Sequence, residues 1–383
     1  MEQRTKGLKM KIHSLVFLII IHAVSISNSQ NIKMDKLVIA HRGTTYWAPE
    51  ETEAAMRWAR NTGADYLEFD LQRTKDGILI ALHDNNLLRT TDVATKFPEK
   101  KNLPVSEFTY EELLSLDAGT WFNNSCPSFA RKSFTGLDIL TLKDVVQIAE
   151  GFRVRRDKNG KRLIQKNQDG EILSVYERDP VDNGNRPGLY IETKVPNLFP
   201  GIEDTLKQEL IYLGWYNDNV NYLKKINVSL GKIDKGNTSN RVILQTFSMQ
   251  SLFKLNLIFS SFVPKCILLW RGNEPEDIMS DSLEDFKNHL EIAKKNGATI
   301  AGPSISGEPN NYFDLLTDQH FKILMEMKFE IHGYSFDSKA QFNKYSTKVS
   351  GMFTNQAGQT LKLYQRSQLT IQAEEVLVEL GYK

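Results

Sequence analysis

The sequence predicts an α/β fold, a TIM-type (β/α)8 barrel with insertions, and three observations carry that reading. Short β-branched apolar runs alternate with longer segments whose apolar residues recur at helical spacing, the arrangement of parallel strands joined by crossover helices. Polar and charged residues fall at the carboxyl ends of several of those runs, where barrel enzymes gather their active sites. The length, 383 residues, accommodates one elaborated barrel, since such domains run to roughly 250 residues and grow by insertion.

The first 29 residues stand apart. Lys6, Lys9 and Lys11 precede an apolar run over residues 15–21, which gives way to small and polar residues, the pattern of a signal peptide. A spanning helix needs about 20 apolar residues, and His22 interrupts this run earlier, so no stable membrane span is expected. Ser27 and Ser29 fit a small-x-small cleavage site. Cleavage there leaves residues 30–383 as a single domain, exported to the periplasm or the exterior.

Along that domain, residues 37–40, 66–70, 78–83 and 189–192 read as strands, followed by 242–247, 266–270, 298–301, 329–334 and a short one at Met352. Nine candidates for eight barrel places leave one as an extra strand or a loop. Residues 50–61, 142–149, 283–295 and 321–327 carry apolar residues at helical spacing. The crossover pattern fails at 71–77, which is too short for a helix. Two stretches read as insertions: residues 85–138, with several aromatics, and 152–187, dense in Arg, Lys and Asp with a turn signal at Asn159-Gly160. The second is expected to be an exposed hairpin whose charge run is a solvated face.

Composition narrows the function classes. Hydrophobic residues at 40% and charged residues at 25% are ordinary for a globular chain. Taking Arg4, Lys6, Lys9, Lys11 and Glu2 away with the leader reduces 48 basic and 47 acidic residues to 44 and 46, a net charge of −2. That lacks the basic excess of a nucleic-acid binder, so no nucleic-acid partner is expected. Cys126 and Cys266 are the only cysteines; they form one bridge or remain two isolated thiols.

The chemistry-bearing candidates sit at strand ends. Leu37-Val38-Ile39-Ala40 runs into His41-Arg42-Gly43. Glu68 and Asp70 have period-two spacing and point to one side of their strand. His83-Asp84 and Glu192 end two further runs, with Lys194 two residues beyond Glu192. Three carboxylates meeting at one rim repel one another unless a cation or protons sit among them, and all-oxygen ligation favours Ca²⁺ or Mg²⁺ over Zn²⁺. His41 and His83 beside such a site suit acid and base roles. Arg42 offers a fork of donors matched to phosphate oxygens, its alternative being a salt bridge to Glu50 or Asp70; Lys194 offers a point charge. Phe247, Trp270 and Tyr334 fall near the same rim and line either a substrate pocket or the core.

These residues, in this order, resemble the glycerophosphodiester phosphodiesterase family, within the barrel group that includes phosphatidylinositol-specific phospholipases C. The resemblance is carried by His41-Arg42-Gly43, Pro49-Glu50-Glu51-Thr52, the run 63–70, Thr74-Lys75-Asp76-Gly77, His83-Asp84 and Arg89-Thr90-Thr91. Weaker echoes follow at Ile191-Glu192-Thr193-Lys194, Gln245-Thr246-Phe247-Ser248, His332-Gly333-Tyr334-Ser335 and 351–355. It implies hydrolysis of small-molecule glycerophosphodiesters to an alcohol and sn-glycerol 3-phosphate. His41 and His83 would be the acid-base pair, Glu68, Asp70 and Glu192 the ligands of one divalent cation, and Arg42 and Lys194 the phosphate holders. The chain departs from the family at Glu51, usually Asn, at Tyr334, more often Trp, and at Asn355, typically Asp. Glu51 is read as opening the first helix, where a carboxylate suits the dipole. Two other readings remain: a phospholipase C- or D-like activity on intact lipid, which wants an exposed apolar rim, and a noncatalytic secreted barrel that binds phosphodiesters.

Overall fold

The structure, a computed structural model, describes residues 36–168, 170–219, 240–274, 277–278, 280–367 and 369–383. The signal peptide expected over residues 1–29 lies outside the described residues. Eight strands close into a parallel barrel. They are β1 (Leu37–Ala40), β2 (Tyr66–Arg73), β8 (Gly188–Thr193), β9 (Val242–Thr246), β10 (Lys265–Leu269), β11 (Ile300–Pro303), β12 (Glu330–Gly333) and β13 (Gly351–Thr354). Each pairs with the next in parallel, and β1 pairs with both β13 and β2 to complete the ring. Helices Glu53–Thr62, Leu142–Ala149, Ile202–Tyr212, Met249–Ile258, Leu283–Lys295, Asp318–Glu326, Lys339–Tyr345 and Ala357–Leu363 follow the strands in turn. Among the described residues no helix is long and apolar enough to cross a membrane.

The ninth strand expected from sequence is β3 (Leu79–Ala81), and it is not part of the ring. It runs antiparallel to the end of β2, with Leu71 opposite Ala81 and Arg73 opposite Leu79. The segment before it is too short to cross over, so the chain can only turn back on the strand it has left.

Side-chain parity divides the core. Ile39, Tyr66, Tyr190, Ile243, Cys266, Leu268, Ile300 and Phe353 fill the barrel interior as one cluster. Their strand neighbours Val38, Leu67, Phe69, Leu189, Ile191 and Leu244 join helix residues such as Trp58 in the outer layer. Each side chain of that size withdrawn from water contributes about 1.5–3 kcal/mol. Cys266 is buried inside the ring and Cys126 lies in the first insertion; both are free thiols.

The first insertion packs Val105, Phe108, Phe122 and Phe134 into the main core. The second folds into two antiparallel ladders, β4 (Phe152–Val154) with β7 (Tyr176–Arg178) and β5 (Ile164–Lys166) with β6 (Ile172–Ser174). Its charge run is a solvated face only in part: Arg155, Asp157, Lys158, Lys161 and Lys166 are exposed, but Arg156 and Arg162 are not. Arg162, 4% exposed, pairs with Asp144 at 2.8 Å and Asp138 at 3.3 Å. Arg156 meets Glu53 at 3.0 Å and Asp138 at 2.9 Å. Only β5 is exposed along its length. The arginines turn inward because the carboxylates that satisfy them belong to the barrel and the first insertion.

Candidate active site

The interior parity that places Ile39, Tyr66 and Tyr190 in the ring brings the polar residues two and four positions further on to its carboxyl mouth. His41 follows Ile39, Glu68 and Asp70 follow Tyr66, and Glu192 and Lys194 follow Tyr190. Phe247, Trp270 and Tyr334 arrive by the same parity one residue past the ends of β9, β10 and β12. These residues line one cavity of about 320 Å³ with Arg42, His83, Gln245, Leu268, Tyr312 and Phe353. Every site residue expected from sequence is therefore in one place. A larger cleft of about 1010 Å³, between the two insertions and the C-terminal residues, holds none of them.

Strand register assembles the carboxylates. Asp70 stands opposite Glu192 across β2 and β8, and one oxygen from each of Glu68, Asp70 and Glu192 lies within 4.8 Å of the others. Burial first, then the Asp70 charge, pushes Glu68 well above the usual carboxylate range. Glu192 rises to about 8 through burial and Asp70, with Lys194 opposing. Burial would raise Asp70 too, but Lys194, His83, Arg42 and His41 hold it below its ordinary value. Lys194 Nζ reaches Asp70 at 3.4 Å and Glu192 at 3.2 Å. Three buried carboxylates, two of them pushed towards protonation by burial and by the Asp70 charge, fit one hard divalent cation.

Arg42 takes its place through a left-handed backbone, φ 51°. Its main-chain N–H donates to Glu68 Oε2 at 2.7 Å, while its guanidinium meets Glu50 at 3.2 Å and Asp70 at 3.3 Å. Both salt bridges weighed against a phosphate role are thus present, and they aim the side chain along the cavity wall. Gly43 must be glycine: its φ is 74°, and a Cβ there would meet the Ala55 carbonyl carbon at 2.7 Å. Gln245 donates to Glu68 Oε1 at 2.7 Å.

The two histidines have different supports. His41 Nδ1 meets Asn355 Oδ1 at 2.9 Å, and Asn355 is oriented by Asp337, which accepts its amide side chain at 2.9 Å and its backbone N–H at 2.8 Å. Because the Asn355 nitrogen is committed to Asp337, its oxygen faces His41, so Nδ1 carries the proton and Nε2 the lone pair. Burial, then the Arg42 charge, lowers His41 to about 4 against the pull of Asp70, Asn355 and Asp337. His83 Nδ1 instead meets a carboxylate, Asp84 Oδ1, at 2.8 Å.

The sequence profile of the glycerophosphoryl diester phosphodiesterase family matches residues 41–179, which contain His41, Glu68, Asp70 and His83. The glycerophosphodiester phosphodiesterase of Bacillus subtilis (strain 168) is 27% identical over 320 residues, 83% of this chain and 83% of that protein. Over those residues the chain is similar to the glycerophosphoryl diester phosphodiesterase family. Another similar protein, the glycerophosphoinositol inositolphosphodiesterase of Mus musculus, is 39% identical over 101 residues, 26% of this chain but only 19% of that protein. The fold is shared with an Oleispira antarctica phosphodiesterase solved in complex with its product sn-glycerol-3-phosphate. There the TM-score is 0.54 at 16% identity, covering 86% of this chain and 96% of that one.

Some residues of the site escaped the sequence reading. Glu51 does not open the first helix, which begins at Glu53. It is buried with a left-handed φ of 57°, and its carboxylate accepts the Asp70 backbone N–H at 2.6 Å. Asp337 and Tyr312 were not singled out: both lie in loops, where no periodicity marks an inward residue. Gln245 carried a signal, since it is two residues before Phe247 on the inward parity of β9.

Proposed function

We propose that the protein hydrolyses glycerophosphodiesters to an alcohol and sn-glycerol 3-phosphate, with one Ca²⁺ or Mg²⁺ held by Glu68, Asp70 and Glu192. The observation that carries this reading is the convergence of His41, His83, Arg42 and Lys194 around that carboxylate cluster in one cavity. The activities named for the relatives agree with it. A cation bound there would polarise a phosphoryl oxygen and lower the pKa of a coordinated hydroxyl or water.

The chain's own groups supply the rest. Arg42 and Lys194 place fixed positive charge where the nonbridging oxygens of the phosphodiester gather charge. His41, neutral and with its Nε2 lone pair free, accepts the nucleophile's proton. His83, whose Nδ1–H is held by the Asp84 carboxylate, delivers a proton from Nε2 to the leaving oxygen. Each such transfer contributes about 10² to 10⁴ in rate. Phe247, Trp270, Tyr312 and Tyr334 close the apolar wall on which the carbon atoms of glycerol and the head group rest. The leader read over residues 1–29 would put this reaction outside the cytoplasm.

One observation favours intact lipid as a second substrate reading. Tyr46, Leu198 and Phe313, in segments that follow the carboxyl ends of β1, β8 and β11, and Leu88 of the first insertion are 38–43% exposed, apolar side chains suited to a lipid surface. Product analysis separates the readings. Glycerophosphocholine should yield choline and sn-glycerol 3-phosphate; phosphocholine as the product would move the scissile bond. Faster turnover of phosphatidylcholine vesicles would favour the lipid reading, and binding without turnover the noncatalytic barrel.

A further inference from the structure

Arg89, in the Arg89-Thr90-Thr91 stretch, has no part in the chemistry above, yet it stands between the two halves of the site. Its Nε and Nη2 donate to Asp84 Oδ2 at 2.7 Å and Oδ1 at 2.8 Å. Its Nη1 and Nη2 donate to Glu50 Oε2 at 3.0 Å and Oε1 at 2.6 Å. Asp84 Oδ1 is the atom that also meets His83 Nδ1, and Glu50 Oε1 is the atom that also accepts from Arg42 Nη1. One planar cation thus spans two carboxylates, one behind the histidine and one behind the arginine. The indole of Trp121, on helix Thr120–Ser125 of the first insertion, covers the guanidinium at 5.4 Å.

Resting on the roles given to His83 and Arg42, we infer that Arg89 is a positioning residue that fixes the proton-donating histidine relative to the phosphate-holding arginine, and that the first insertion serves to hold it there. The geometry demands arginine. A guanidinium presents paired N–H groups along two of its edges and can fork to two carboxylates at once, whereas an ammonium offers a point charge without fixed directions. Without the fork, Asp84 keeps only His83 and is free to rotate. Glu50 keeps only Arg42 and draws that guanidinium away from an incoming phosphate.

The test uses the purified protein with glycerophosphocholine and a divalent cation, comparing wild type with Arg89→Lys, Arg89→Ala and His83→Ala. Both Arg89 variants should lose kcat/KM on the order of 10²-fold, the scale of a misplacement of about 1 Å. Methylguanidinium in solution should restore Arg89→Ala at least tenfold and leave His83→Ala unchanged. Either Arg89 variant within about threefold of wild type would overturn the inference. So would a loss that methylguanidinium leaves untouched in a protein with wild-type melting behaviour, which assigns Arg89 to the scaffold alone. Should Arg89→Ala fail to fold, Arg89→Lys carries the test. A wild type without turnover contradicts the underlying reading of the site and not the arrangement of Arg89.

Discussion

Asp70 and Glu192 are register partners on adjacent parallel strands, and that pairing places the carboxylate cluster: Glu68 joins it because period-two spacing keeps it on the same wall as Asp70. Glu192→Gln keeps the shape of the side chain and removes one charged oxygen donor. We expect divalent-cation affinity to fall by at least about 10²-fold, with turnover falling in parallel at limiting cation. Calorimetric titration with Ca²⁺ and Mg²⁺ measures it; unchanged affinity would remove Glu192 from the ligand set.

Asn355 determines which nitrogen of His41 is available. Asn355→Ala should lower kcat about tenfold to 10²-fold with little change in KM, since it disturbs a proton carrier and not a binding contact. Asn355→Asp makes a different prediction. A carboxylate on Nδ1 favours the imidazolium, so His41 rises from about 4 by about one unit or more. A base must be neutral to act, so the acidic limb of the kcat/KM profile should move to higher pH. A limb that stays in place or moves to lower pH contradicts the assignment of His41 as base.

Much of this site was legible in the sequence because barrel strands convert parity into position. His41, Glu68, Asp70, Glu192, Lys194, Phe247 and Trp270 each follow an inward apolar residue at an even interval, and Tyr334 follows the buried His332. The antiparallel course of β3 was not legible, since Leu79-Ile80-Ala81 is as apolar as any barrel strand; only the short segment before it hinted at a reversal. Nor was the support of His41, because Asn355 lies 314 positions away in the chain and meets it only when the ring closes. The burial of Arg162 and the inward pairing of the half-buried Arg156 were hidden for the same reason. A charge run reveals its composition, but not the carboxylates it will meet.

Inside the barrel, His332 is fully buried, with Nδ1 against the Tyr190 hydroxyl at 3.0 Å. Burial lowers it to about 3, below the unfolded value of about 6.5. The unfolded chain therefore takes up the proton first, and the stability His332 contributes is complete above pH 6.5 and is lost as pH falls towards 3. Within that window one such group gives a slope of about 1.4 kcal/mol per pH unit. Urea unfolding between pH 7 and pH 4.5 should show His332→Gln with a slope shallower by about that amount. Equal slopes would mean that His332 titrates normally in the folded protein.

Arg162 ties the second insertion to the barrel through Asp138 and Asp144, and its side chain is 2% exposed. Arg162→Ala leaves the Asp144 carboxylate buried without its cation, so a loss of about 3–5 kcal/mol is expected in urea unfolding. A loss under about 1 kcal/mol would return this charge run to the solvated surface.

The most direct measurement is release of sn-glycerol 3-phosphate from glycerophosphocholine by wild type, His41→Ala and His83→Ala, each with Ca²⁺, with Mg²⁺ and with chelator. We expect wild type to release product with at least one cation and none with chelator, and both histidine variants to be inactive while binding the cation as wild type does. Release that survives chelator, or turnover by either histidine variant near the wild-type rate, would contradict the account.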